Sequence, residues 1–198
     1  MKKTALFYLL SILMLAVACA TILKKLKHVS NPGFETAEQV SSYLGKVNGN
    51  YSEKLFLCKD SATYFSILLK LQAFPMAVFI NSAGAVIRYS EDGCPGKAMD
   101  FALKFIPGQE YKIDSSFDWK YLSDKIIPNG QSIFPEPATR QITLVIFWAL
   151  WAGDINKNVF EIAEALKKRT GLNSQTVFIN MDLMKSWGMK KLPEIRAE

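Results

Sequence analysis

The chain has 198 residues, of which 49% are hydrophobic and 21% are charged, an ordinary globular composition for one or two small domains. Its formal net charge is +6, but basic and acidic residues are interleaved, as in EIAEALKKRTG, which indicates solvated helix faces rather than a nucleic-acid-binding patch. His28 is the only histidine, which argues against Ser-His-Asp, Cys-His and histidine–zinc sites. With no Walker loop, GxGxxG, HExxH or paired-cysteine motif either, we expect no metal, no cofactor and no nucleic acid.

Residues 1–23 are predicted to be a signal peptide or a membrane anchor. A basic start, MKK, precedes an uncharged run from Thr4 to Leu23, and lysines follow it. Three alternatives fit this pattern. A cleaved signal would use the small residues at 16, 18 and 20, a lipoprotein signal would lipidate Cys19, and an uncleaved anchor is possible because about 20 apolar residues span a bilayer. All three predict export, and the bacterial style of the leader indicates the periplasm or a membrane-tethered position.

A tether over residues 24–35 is predicted next, because Asn31-Pro32-Gly33 breaks any regular structure. Residues 36–106 then form a first α/β unit. Its predicted elements are a helix starting at a Thr36/Gln39 capping box, a strand over 54–58, a helix over 62–73 capped by Asp60 or Ser61, strands over 76–80 and 85–89 joined by a tight turn, and a helix over 97–105.

Residues 107–139 contain four prolines and are predicted to be a connecting segment with at most one short strand or hairpin. A second unit follows over residues 140–198. It is predicted to contain a buried strand over 142–148, a helix over 155–171 that ends at Gly171, and another buried strand over 175–182.

The second unit resembles the N-terminal half of the thioredoxin family, in the style of the exported, membrane-tethered thioredoxins of bacteria. The resemblance lies in LVIFWALWAG, where Trp148, Trp151 and Gly153 close an apolar strand and open a helix, and in the later strand VFINMD. A structural alternative is that both tryptophans are core aromatics where a strand meets a helix.

The first unit resembles the C-terminal half of the same family, over KLFLCKDSATYFSILLKLQAFPMAVFINSAGAVIRY. This resemblance implies that Pro75 is a cis-proline and that Ala83-Gly84 forms a hairpin turn. The two halves come in reversed order. We favour one α/β fold with a shared thioredoxin-like sheet flanked by helices, as a permuted domain. The alternatives are a separate first domain with an incomplete second unit, or a second unit that its last residues complete.

The cysteines of the family motif are absent from this chain. Aligned on Trp151, the two cysteine positions hold Ala152 and Ile155, and Asp154 stands where the family often has proline. Neither alanine nor isoleucine can form a mixed disulfide, so dithiol exchange at this degenerate motif is excluded. Asp154 is expected to cap the following helix. The remaining thiols, Cys58 and Cys94, are candidates for structural cysteines, a disulfide pair or a reactive site.

These observations predict an exported thioredoxin-like protein without dithiol redox activity that binds a protein or peptide and contacts the membrane through its N-terminal segment. An alternative is a monothiol or cryptic thiol-disulfide oxidoreductase that uses Cys94 or Cys58. A third is a degenerate product without a partner, because a fold alone does not establish a function.

Overall fold

The structure is a computed structural model that describes residues 27–48, 54–71, 73–90, 95–130 and 132–191. The predicted signal or anchor, with Cys19, lies outside the described residues, and so does Cys94. In the part of the chain that is described, no helix is both long and apolar enough to cross a membrane.

The described residues form an α/β fold, as the sequence predicts. Its strands are β1 (Phe34–Glu35), β2 (Leu55–Cys58), β3 (Met76–Asn81), β4 (Ala85–Ile87), β5 (Ile113–Asp118), β6 (Ile126–Pro128), β7 (Ile142–Trp148), β8 (Ser174–Asn180) and β9 (Leu183–Met184). Its α-helices are α1 (Ala37–Asn48), α2 (Ser61–Leu68), α3 (Pro95–Lys104), α4 (Trp119–Ser123) and α5 (Asn156–Lys167). Short 3-10 helices cover Pro137–Thr139, Leu150–Ile155 and Lys185–Trp187.

Seven of these strands form one mixed sheet in the order β5-β4-β3-β7-β8-β2-β6. The central pair, β7 and β8, is parallel and comes from the second unit. On one side β3 pairs antiparallel with β7, and on the other β2 pairs parallel with β8. Strands of the first unit therefore flank the central pair of the second, and the two predicted units share one sheet.

Helices cover both faces of the sheet. Leu144, Ile146 and Trp148 of β7 point to one face, where they pack with buried residues of α1, α3 and α5. Val145 and Phe147 point to the other face, where they pack with buried residues of α2 and α4. Because all seven residues of β7 are buried, this strand is the centre of the core, and its nearly continuous apolar run, with Thr143 as the one polar residue, predicted its exact bounds.

Local hydrogen bonds fix the predicted helix starts and the hairpin turn. At α1, the Thr36 and Gln39 side chains each accept the other's backbone N–H, as expected for a capping box. Asp60 caps α2 in the same way. Between β3 and β4, the Asn81 side chain accepts the N–H groups of Ala83 and Ala85, which closes the predicted turn. The following strand ends at Ile87, two residues earlier than predicted, and α2 ends at Leu68, five residues earlier.

The prediction of a connecting segment with at most one short strand or hairpin over residues 107–139 is wrong. This segment supplies β5 and β6, which are the two edge strands of the sheet, and the short helix α4 between them. In β5 only Phe117 is buried, and β6 ends in Pro128. Edge strands bury little and tolerate proline, so they lack the alternating apolar pattern that identifies inner strands.

The prediction of a tether over residues 24–35 is also wrong for its described part, residues 27–35. Phe34 and Glu35 form β1, which pairs parallel with β9 after the end of β8. Residues 27–30 contact the turn that follows β7. We refer to residues 27–35 as the strap.

Candidate functional site

The candidate site lies at the edge of the sheet where the parallel strands β7 and β8 end. Met76, the first residue of β3, pairs with Phe147, so the segment before β3 reaches the same edge. Carboxyl ends of parallel strands, followed by loops, are a common position for binding sites in α/β folds. We refer to this region, Phe74, Pro75 and residues 148–155, as the motif edge.

The two tryptophans of the motif have different environments. Trp148 is 0% exposed. Its ring stacks on that of Tyr43 of α1, with centroids 5.5 Å apart, and meets that of Phe160 of α5 edge-on, with centroids 5.7 Å apart. Trp151 is half-buried and stacks on Phe74 with ring centroids 4.9 Å apart. Trp148 is therefore a core residue, whereas Trp151 and Phe74 form a partly open aromatic pair.

The Phe74–Pro75 peptide bond is cis, the geometry that the family resemblance implies. Pro75 directly precedes β3, so this bond lies where β3 begins beside the end of β7. The structure thereby brings Pro75, from the first unit, to the same edge as the motif of the second unit.

The degenerate motif departs from a regular helix start. Ala152 is 1% exposed, and Ile155 is half-buried, just before α5 begins at Asn156. Gly153 interrupts the turn with φ 54° and ψ −131°, a conformation that other residues rarely adopt. The first cysteine position of the family thus lies in a separate 3-10 turn rather than at the N-terminus of α5.

Asp154 does not cap α5, contrary to the sequence prediction. Its carboxylate instead contacts Lys157 Nζ at 2.8 Å and His28 Nδ1 at 2.7 Å. These two partners, Lys157 first, lower the pKa of Asp154 to about 2. The carboxylate is therefore held between a lysine side chain of α5 and His28 of the strap, and it accepts no N–H group of the first turn of α5.

The strap approaches the motif edge through its backbone. The Ser30 N–H donates to Trp151 O at 2.9 Å, and the Asp154 N–H donates to Lys27 O at 2.8 Å. A Cβ atom at Gly153 would lie 2.3 Å from His28 O and 2.6 Å from Lys27 O. Only glycine therefore allows the strap backbone to pass this close to the motif.

A buried carboxyl group, that of Asp182, stabilises the 3-10 turn that begins at Leu150. Asp182 is 1% exposed, and its Oδ2 accepts the Leu150 N–H at 2.7 Å and the Asn180 amide at 2.7 Å. Among the described residues, Oδ1 of Asp182 has no hydrogen-bond partner. Burial, with a further contribution from Glu35 of the strap, raises the pKa of Asp182 to about 6, against the opposing effect of these two donors.

Cys58 is not part of the motif edge surface. It is a free thiol at the end of β2, 2% exposed, with its Sγ 3.8 Å from Met181 Sδ. Burial, and secondarily the Asp60 carboxylate, raises the pKa of Cys58 to about 12. The thiol stays protonated at neutral pH, so it is a poor nucleophile.

We expect Cys58 in the folded protein to react with a disulfide reagent at pH 7 on the order of 10³-fold more slowly than free cysteine, because its thiolate fraction is that much smaller. Residue-resolved mass spectrometry separates its labelling from that of Cys19 and Cys94. Denaturant should restore ordinary reactivity. Fast labelling of Cys58 in the native state would contradict the buried geometry.

A separate cavity of about 670 Å³ lies at the opposite end of β8, where Ser174–Val177 line it together with Phe56, Phe134 and Arg140. The Arg140 guanidinium already donates to Asn173 at 2.7 Å and to Gln175 at 3.4 Å. Two donors of Arg140 therefore hold two chain segments together, and we regard this cavity as structural.

In comparisons with protein-family models, with curated proteins and with solved structures, nothing matches this chain. Within the described residues, no group of three His, Cys, Asp or Glu side chains could hold a metal ion.

Sequence reasoning missed three contributors to the site. The strap contributes His28, and the end of β8 contributes Asn180 and Asp182. A signal for the latter pair was present, since polar residues alternate with Met181 directly after a buried strand. The strap carried no apolar pattern, because its contacts are made by its backbone.

Proposed function

We propose that the protein is an exported thioredoxin-like protein without dithiol redox activity, and that it binds a protein or peptide at the motif edge. The observation that carries the proposal is the meeting of the Trp148–Trp151 motif with the Phe74–Pro75 segment at one end of a shared sheet. The β3–β4 hairpin antiparallel to β7, and the parallel β7–α5–β8 unit, supply further support as the parts of a permuted thioredoxin-like fold.

The chemistry of the motif edge supports binding rather than catalysis. Ala152 and Ile155 carry no reactive atom, and the buried Cys58 thiol has a raised pKa. The remaining features are ones that recognise chains: a partly open aromatic pair, backbone groups that bind a neighbouring segment, and the Asp154 carboxylate.

The redox half of the proposal is tested by an insulin-reduction assay on the full-length chain. We expect no turnover above the uncatalysed rate, because no thiol is available at the motif. Clear turnover that Cys94→Ser or Cys58→Ser abolishes would instead establish the alternative, a monothiol or cryptic oxidoreductase.

The binding half is tested with peptides selected from a random display library on the full-length chain. We expect Trp151→Ala to weaken their binding roughly tenfold, the usual effect of truncating an aromatic anchor at an interface. Ile133→Ala is the control, since Ile133 is an exposed apolar residue that lines the distant cavity, whereas Trp151 is half-buried at the motif edge. If Trp151→Ala left peptide affinity unchanged and Ile133→Ala lowered it, the peptides would bind at the cavity, and the proposal would be refuted.

A further inference from the structure

The strap is held mainly by backbone groups. Its two hydrogen bonds to the motif, from the Ser30 N–H and to Lys27 O, involve no side chain of the strap, and neither does the pairing of β1 with β9. Backbone pairing of this kind is how proteins bind extended peptides of varied sequence.

Phe34 packs against the core at the end of the strap, but residues 27–32, which contact the motif, bury little apolar surface. All nine residues of the strap are exposed or half-buried, with residues 33–35 and Val29 the only half-buried ones. A segment with few buried contacts opens at low cost compared with the core. The strap is therefore attached but exchangeable.

The motif edge is shaped to receive a chain at this place. Gly153 adopts φ 54°, and a Cβ there would collide with the strap backbone. His28, on the strap, also has a positive φ of 53°, which is uncommon for a residue with a side chain. A positive φ at a residue with a side chain is a local cost that the surrounding contact must maintain, and at Gly153 it is the close approach, not strain, that requires glycine.

One side-chain contact adds selectivity. Asp154 Oδ2 lies 2.7 Å from His28 Nδ1, while the His28 side chain is 78% exposed. Solvent surrounds most of the His28 imidazole, and the Asp154 carboxylate is the hydrogen-bond partner that holds it. This position favours a side chain that donates a hydrogen bond or carries positive charge.

We propose that the strap is an intramolecular ligand of a peptide-binding groove at the motif edge, and that the same groove takes an external extended peptide with a histidine, lysine or arginine opposite Asp154. This inference rests on the proposed function and names its ligand class. A tethered segment acts at a millimolar effective concentration, so the strap competes with any external peptide and keeps the groove closed until one displaces it.

The test uses a labelled synthetic peptide with the strap sequence KHVSNPGFE, titrated by fluorescence anisotropy into the full-length chain. In His28→Ala the internal strap loses its side-chain contact with Asp154 while the groove stays intact, so the peptide should bind roughly two- to fivefold tighter than to the wild type, the size expected for one exposed side-chain hydrogen bond. Asp154→Asn should remove the preference for the native peptide over one with alanine at the His28 position. Equal affinity of wild type and His28→Ala, or an unchanged preference in Asp154→Asn, overturns the proposal.

A second measurement reports opening of the strap without relying on affinity. A thiol introduced as Ala152→Cys occupies a position that is 1% exposed. Its labelling by a disulfide reagent, followed by mass spectrometry, should be faster when His28→Ala is added and slower again with saturating peptide. If the labelling rate changed neither with His28→Ala nor with saturating peptide, the strap would not cover the motif edge, and the inference would be overturned.

The proposed function and the strap exchange are refuted by different results. Insulin turnover, or library peptides that ignore Trp151, would remove the proposed function and leave the strap exchange measurable. An unresponsive strap with Trp151-dependent library peptides would remove only this inference.

Discussion

Replacing Gly153 with alanine should detach the strap and lower the free energy of unfolding by about 1–3 kcal/mol, the cost of a backbone conformation that side chains disfavour. The added Cβ would lie 2.3 Å from His28 O, too close for the strap to stay in place. Once the strap leaves, residue 153 can relax to negative φ, which limits the loss of stability. Urea unfolding measures the free energy of unfolding. The rate of trypsin cleavage after Lys27 measures how readily the strap detaches from the motif edge.

Gly171→Ala is the matched control for this substitution. Gly171 also has a positive φ, 77°, but no atom lies within 4 Å of the place that a Cβ atom would take there, so it isolates the backbone cost from the collision. We expect a stability loss of about 1 kcal/mol there and no change in cleavage after Lys27. If Gly153→Ala left Lys27 as protected as in the wild type, the close approach of the strap would be refuted.

Elements that bury a continuous apolar run could be predicted from the sequence. The bounds of β7 match exactly, because all its residues are buried and only Thr143, a residue that favours strands, interrupts the apolar run ITLVIFW. The starts of α1 and α2 could also be predicted, because Thr36 and Asp60 are residue types that cap helices. In each case the residue types themselves satisfy the structural requirement, so the pattern is visible in one sequence.

The strap and the edge strands could not be predicted in the same way. The strap is held by backbone hydrogen bonds, which any residue except proline can donate. Only Gly153 and the pair His28–Asp154 carry a residue-type signal, and the partners in that pair are 126 positions apart in the chain. The assignment of Asp154 as a helix cap was wrong because two side chains compete for its carboxylate: Lys157, three residues later, and His28 of the strap, which no sequence pattern connects to it.

Asp182 should make the protein less stable as pH rises. Its folded-state pKa is raised to about 6, above that of an unfolded aspartate, so between about pH 4 and pH 6 the folded chain binds more protons than the unfolded chain. Stability therefore falls across this window and levels off above it. A shift of about two pKa units corresponds to a loss of at most ~3 kcal/mol.

Asp182→Asn should remove most of this pH dependence, since the amide keeps the shape and an oxygen acceptor for the Leu150 N–H without a buried charge. Urea unfolding at a series of pH values from 4 to 7.5 measures the slope. Asp60→Asn is the control of opposite sign: the pKa of the exposed Asp60 is lowered, chiefly by the Thr63 N–H, so its contribution is lost only as pH falls below about 4. A slope between pH 4 and 6 that survives Asp182→Asn would assign the titration to another group. Loss of the pH dependence in Asp182→Asn would show that the carboxyl group of Asp182, which is neutral only in mild acid, stabilises the turn that contains Trp151. Raising the pH would then destabilise the motif edge.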